Sequence, residues 1–139
     1  MGEWKLFEGD VPHVSTFEFH KDRERAPHVD QPGHRPRLEC ARDLVVQAAE
    51  ELLDRGAFAD GPPTVSDLGC GDGGLLSLLA DYDGIDAWGY DFQPSNAAGW
   101  AERNVYARAL DVFGDDRDQV RLGRIAVVTE VLEHLADPH

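Results

Sequence analysis

Positive charge is in short supply in this 139-residue chain. Thirteen Lys and Arg face 27 Asp and Glu, for a formal net charge of −14. A field of that sign repels phosphate backbones, which argues against a nucleic-acid partner. Cysteine is scarce too. Cys40 and Cys70 stand far apart, in a helix-like and a glycine-rich setting, so neither a disulfide framework nor a zinc site is suggested. A cytoplasmic, reducing compartment is the expectation. No apolar run approaches the ~20 residues of a membrane helix, so no membrane partner is expected. The opening "MGEWKLFEGD" lacks the apolar run behind basic residues of a secretion signal. Internal repeats and low-complexity tracts are absent.

The length suits one domain. What positive charge there is clusters. Residues 20–42 hold six of the thirteen basic residues and four of the 27 acidic ones, so this segment carries +2 and the remainder −16. His20, His28 and His34 lie in the same segment. Residues 1–36 have weak periodicity and four prolines, and read as an irregular basic, His-rich arm with the potential to act as a lid. The spacing of its three histidines does not match a zinc site. From residue 37 onward the chain reads as the core.

Leu38, Ala41, Leu44, Val45, Ala48, Ala49, Leu52 and Leu53 recur at helical spacing and predict an amphipathic helix over 37–55, stopped by Gly56. "TVSDLG" (64–69) predicts a strand, 73–81 a helix and "DAWGYDF" (86–92) a second strand. "SNAAGWAERN" (95–104) predicts a helix with Ser95 as N-cap, "VYARALDV" (105–112) a third strand and "RIAVVTEVL" (124–132) a fourth. Alternating strands and helices argue for parallel βαβ units in an open, doubly wound α/β sheet. Apolar runs such as "IAVV" suit strands covered on both faces.

Between the first strand and the next helix lies "DLGCGDGG", with four glycines in six residues. Glycine gives up the most entropy on folding, so an empty turn built this way is costly. Gly69, Gly71 and Gly73 permit positive φ and let a ligand lie against bare main chain. The following helix turns its unpaired N–H groups and positive dipole end to the same spot. Gly69-x-Gly71-x-x-Gly74 satisfies the dinucleotide fingerprint literally, and Asp91 lies about 20 residues on, where a ribose-binding acid belongs. These two features fit any adenosine cofactor, so NAD and S-adenosylmethionine both stand. Asp67, Asp72 and Asp91 around the turn would repel a diphosphate and attract a sulfonium and an ammonium, which favours S-adenosylmethionine.

Four segments resemble the motifs of class I S-adenosylmethionine-dependent methyltransferases. "VSDLGCGDGG" is similar to their first motif, "WGYDFQPSN" to the second, "ARALDV" to the third and "VVTEVLEHLADP" to the fourth strand and its loop. The matches run in order over 64–138. The resemblance implies a Rossmann-like fold with visible strand order 3-2-1-4, and methyl transfer to a small-molecule oxygen or nitrogen acceptor. It implies that Asp67 braces the turn or meets the methionine amino group. Gly69, Cys70, Gly71 and Gly73 would line the methionine and ribose, and Asp91 would hold the ribose. Phe92 would pack on the adenine, Asp111 and Val112 would sit at its edge, and Glu130 would lie near the cofactor. S-adenosylhomocysteine would be the product.

Glu130, Glu133 and His134 follow the fourth strand. One reading makes His134 a general base oriented by a carboxylate, with His28 of the arm as a further candidate. A second makes the three side chains ligands of a divalent metal, since a similar Glu-x-x-Glu-His run binds magnesium or manganese in small-RNA 2′-O-methyltransferases. The further histidine those enzymes use downstream has no counterpart in this sequence. A third reading is structural, with His134 at a helix end. A methyltransferase sheet of this class has seven strands and the sequence supplies four, so an incomplete sheet is expected, with an open strand-four edge suited to a homodimer. A non-catalytic S-adenosylmethionine-binding module and an NAD-dependent oxidoreductase are the remaining alternatives.

Overall fold

The structure is a computed structural model and describes residues 23–129. A strap, 23–34, contains a single 3-10 turn at His28–Asp30 and leads into helix α1 (Arg35–Asp54). Then follow β1 (Thr64–Leu68), α2 (Gly74–Leu79), β2 (Asp86–Asp91), a 3-10 turn (Pro94–Asn96), α3 (Ala97–Arg103), β3 (Ala107–Ala109), a 3-10 turn (Arg117–Gln119) and β4 (Ile125–Val127). The four strands form one parallel sheet in the order β3-β2-β1-β4, as the sequence implies.

Residues alternate between the faces of a strand. Val65 of β1 packs with Val45 of α1, Leu75 and Leu79 of α2, and Val127 of β4. Val65, Leu75 and Leu79 are at most 2 % exposed, and each contributes about 1.5–3 kcal/mol on burial. Cys70, Leu76 and Trp100 extend this layer beneath α3. All three helices therefore cover one face. The opposite face, formed by Leu68, Trp88 and Tyr90, meets Leu110, Val112 and Val120 from the crossover between β3 and β4. That crossover holds one 3-10 turn and no α-helix, so among the described residues only one face of the sheet carries helices. Trp88 Nε1 and Tyr90 Oη hold it by bonding Arg121 main chain, at 2.8 and 2.9 Å.

Several boundaries differ from the sequence reading. The helix expected over 73–81 is the six-residue α2, so its dipole contributes less to the turn than a long helix would. Ser95 is not an N-cap. Pro94–Asn96 form a 3-10 turn, Asn96 stands at the cap position of α3, and the Ser95 hydroxyl accepts from Gln93 Nε2. The third strand shrinks to three residues, because Ala and Arg hold an edge strand weakly. Gly56 ends α1 as expected, with φ +72° and its N–H on the Leu53 carbonyl. Residues 130–132 of the expected fourth strand lie outside the described residues.

Gly89 lies at the point of closest approach between β2 and the glycine turn. A Cβ there would fall 2.7 Å from Cys70 Sγ and 2.8 Å from Leu76 Cδ1. Gly89→Ala is expected to destabilise the protein by about 1–3 kcal/mol in urea unfolding, the usual cost of overpacking a tight core. An unchanged midpoint would show that the turn is free to move off β2.

Candidate functional site

The turn after β1 is tied to the tip of β2. The N–H groups of Gly69 and Cys70 both donate to the Tyr90 carbonyl, at 2.8 and 2.9 Å. Gly69, Gly71 and Gly73 all adopt positive φ, at +84°, +55° and +89°. Their surroundings divide them. A Cβ on Gly71 would meet nothing within 4 Å, so its main chain borders open space. A Cβ on Gly73 would strike Val105 at 2.7 Å, so the lack of a side chain there is explained by packing against α3 and the chain after it. Trp100 Nε1 donates to the Gly71 carbonyl at 2.8 Å and fixes the plane of that peptide.

Asp91, at the end of β2, is 8 % exposed. Its Oδ2 accepts the Gly71 N–H at 3.0 Å. Its Oδ1 accepts the Gln93 N–H at 2.9 Å and Asn96 Nδ2 at 3.0 Å. An ionised carboxylate offers about four acceptor positions. Three are occupied, which leaves one on Oδ2, the oxygen that also accepts the Gly71 N–H. That position suits one ribose hydroxyl rather than a grip on two.

The three acids of the turn are not equivalent. Asp72 is 3 % exposed, and its Oδ2 accepts Arg25 Nε at 3.0 Å and Arg103 Nη2 at 2.9 Å. Two guanidinium groups neutralise it, so its charge does not select the ligand as the sequence reading assumed. Asp67 is the opposite case. It is 2 % exposed, and its Oδ1 has no hydrogen-bond partner among the described residues. Burial first, and the negative charge of Asp91 second, push its pKa from 3.8 up to about 7. Selective negative charge therefore resides on Asp91 and on Asp67 when ionised.

Cys70 contributes main chain only. Its thiol lies against Leu76 and Trp100, and burial, aided by Asp67 and Asp91, raises its pKa well above the ordinary thiol value. It is a neutral thiol, not a nucleophile. Phe92 is half-buried next to Asp91. Asp111 is half-buried and its N–H donates to Asp116 Oδ2 at 2.9 Å, while Val112 packs on the second-face cluster of Leu68, Trp88 and Tyr90. His28 is exposed on the strap, its ring stacked on His34 with centroids 4.6 Å apart. Glu130, Glu133, His134 and His20 lie outside the described residues. Among the described residues no group of three His, Cys, Asp or Glu could hold a metal ion, and no helix is long and apolar enough to cross a membrane.

The sequence reading missed Gln93, Asn96, Trp100 and Arg103 as parts of the site, and included Arg25 only as arm charge. A signal for three of them was present. Asn96, Trp100 and Arg103 recur at i, i+4 and i+7, which places them on one helical face despite their differing polarity.

Comparison with known proteins bears on this arrangement. Residues 55–129 match the family model described as methionine biosynthesis protein MetW. Among solved structures, the plantazolicin methyltransferase BpumL in complex with SAH superposes with a TM-score of 0.51 at 15 % identity, over 78 % of this chain and 46 % of that one. The sugar N-methyltransferase KedS8 from Streptoalloteichus sp ATCC 53650 gives 0.50 at 20 % identity, over 99 % of this chain and 48 % of that one. These likenesses establish the fold of class I methyltransferases. The chain spans about half the length of the structures it matches. No curated protein matches the sequence.

Asp67 makes stability depend on pH in an unusual direction. Its proton is bound more tightly in the folded state, so its stabilising contribution is complete below 3.8 and is lost as pH rises to about 7. Asp67→Asn keeps a neutral side chain at every pH. The variant should gain on the wild type between pH 4 and pH 7 by up to roughly 4 kcal/mol in chemical unfolding without ligand, and by no more above that. Parallel stability curves would show that Asp67 finds a partner when ionised.

Proposed function

The chain belongs to the MetW family, and from that premise we propose that it binds S-adenosylmethionine and supports methyl transfer to a small-molecule oxygen or nitrogen acceptor. One observation carries the reading: Gly71, whose Cα borders open space, is bonded through its N–H to Asp91 Oδ2 at 3.0 Å, so the bare turn and a carboxylate with acceptor capacity to spare are held side by side. The buried, unpartnered Asp67 oxygen beneath the turn adds a site for positive charge. The acceptor set thus fits a ligand that donates from a sugar hydroxyl and from cationic groups. Solved relatives in fold support it, one of them a plantazolicin methyltransferase in complex with SAH and another a sugar N-methyltransferase.

In this reading Gly69, Cys70 and Gly71 offer main chain to the methionine and ribose portions, and Gly73 shapes the turn that presents them. Asp91 accepts a ribose hydroxyl, Phe92 packs on the adenine, and Asp111 and Val112 border it. Asp67 meets the ammonium, whose positive charge favours the ionised carboxylate. When bound, S-adenosylmethionine supplies an electrophilic methyl group on a sulfonium. The chain's own contribution is to align an acceptor with that methyl and to exclude water. His134, with Glu130, and His28 of the strap are the candidates for taking a proton from a hydroxyl acceptor. A soluble cytoplasmic protein, paired with a second copy through the outer edge of β4, completes the reading.

The NAD alternative has the literal glycine spacing in its favour. Against it stands Asp67, a buried carboxylate with no cation or hydrogen-bond partner on its free oxygen among the described residues to offset a diphosphate, whereas Asp91 suits the ribose of either cofactor. No observation favours the RNA or metal readings.

Isothermal titration separates the cofactors. S-adenosylhomocysteine should bind and NADH should not, and Asp91→Ala should weaken S-adenosylhomocysteine at least tenfold, consistent with roughly 1.5–3 kcal/mol for a hydrogen bond to a charged group. Binding of NADH in preference would overturn the assignment. Binding without turnover on any amine, phenol or hydroxyl acceptor would identify a non-catalytic module.

A further inference from the structure

The strap contacts both loops of the site, through two consecutive residues. Arg25 donates from Nε to Asp72 Oδ2 at 3.0 Å and from Nη1 to Glu102 of α3 at 2.5 Å. Glu24 accepts, through its carbonyl, Gln93 Nε2 at 3.1 Å. Gln93 in turn donates its own N–H to Asp91, and Asp91 accepts Gly71 N–H, one residue before Asp72. The path from Glu24 through Gln93, Asp91, Gly71 and Asp72 back to Arg25 is a closed ring of side-chain, main-chain and covalent links. The contact between the glycine turn and the ribose-side carboxylate is one link of that ring. We propose that Arg25 is a positioning residue for the cofactor, which clamps Asp72 and so holds the Gly71 N–H and the Asp91 carboxylate in binding register.

Charge and burial assign this task to Arg25 rather than to Arg103. Arg103 Nη2 bonds Asp72 at 2.9 Å and Asp30 at 3.1 Å, and its side chain is 10 % exposed. It joins α3 to the turn and keeps the buried Asp72 charge paired if Arg25 is removed. An unpaired buried charge is strongly destabilising, so the Arg103 contact allows Arg25 to be replaced without leaving Asp72 bare. Arg25 reaches the same Asp72 oxygen from a different chain segment, at the strap. Its loss leaves Arg103 on Asp72 and on Asp30 of the strap, removes the strap's direct hold on Asp72 and so relaxes the register of the two loops. Gly99 lets α3 close on both members of the pair: a Cβ there would lie 2.6 Å from the Asp72 carbonyl and 2.9 Å from Arg25 Nε.

This proposal rests on cofactor binding at Gly71 and Asp91, and the test distinguishes the two claims. S-adenosylhomocysteine affinity is measured by titration calorimetry for the wild type, Arg25→Ala, Arg25→Lys and Gln93→Ala. The Trp100 indole N–H resonance, which reports its bond to the Gly71 carbonyl, is followed in the same proteins. Arg25→Ala should fold, bind about tenfold more weakly and shift the indole signal. Arg25→Lys, which keeps the charge but not the forked reach to Glu102, should recover part of the affinity. Gln93→Ala, cutting the ring on its other side, should weaken binding in the same direction. A wild type that fails to bind S-adenosylhomocysteine overturns both the cofactor reading and the clamp. A wild type that binds, with Arg25→Ala binding equally well and the indole signal unmoved, overturns the clamp alone.

Discussion

The hydrogen bond from the Gly71 N–H to the Asp91 carboxylate joins the glycine turn to the tip of β2, and the site depends on it. It can form only because parallel β1 and β2 end side by side and the turn after β1 folds back onto β2. The Tyr90 carbonyl takes two N–H groups of that turn, and Gly89 leaves room for Cys70 to lie against β2. A side chain at Gly89 would push the turn outward. Positive φ at Gly69 and Gly71 then aims the Gly71 amide at Asp91. Helix packing on one face of the sheet, with α3 behind the turn, sets this geometry. The second face, covered by an irregular crossover, closes the core from the other side.

Electrostatics sharpens what the site accepts. Three carboxylates surround the turn, and the fold treats each differently. Asp72 is buried with two arginines and serves as a tether between strap, turn and α3. Asp91 is held by main-chain and amide donors, which fix its direction. Asp67 is buried with one oxygen that has no hydrogen-bond partner among the described residues. An acidic protein thus directs its selective charge to two points a few residues from bare main chain, and neutralises the third.

Much of this was legible in the sequence. The parallel βαβ pattern, the stop of α1 at Gly56 and the meeting of the glycine turn with Asp91 follow from hydrophobic periodicity, glycine placement and the βαβ rule, and the strand order follows from the resemblance to methyltransferases. The resemblance of four ordered motifs to methyltransferases agrees with the fold and with the MetW match. Long-range polar contacts were not legible. The tether between Arg25 and Asp72 spans 47 residues, and no local pattern encodes a pair so distant. The sequence also overvalued Asp72 as a free charge, because it does not show which arginines fold over it. It treated the three glycines of the turn alike, whereas Gly73 is small for the sake of Val105 and Gly71 borders open space. Ser95 looked like a cap, but Pro94 opens a 3-10 turn that moves the cap position to Asn96.

A crystal structure of the protein with S-adenosylhomocysteine tests the central claim most directly. The account predicts the ligand lying across the Gly71 main chain, with a ribose hydroxyl on Asp91 Oδ2 and the amino group directed toward Asp67. A ligand seated instead on the opposite face of the sheet, in the groove between Trp88, Tyr106 and Arg108, with Gly71 and Asp91 untouched, would contradict it.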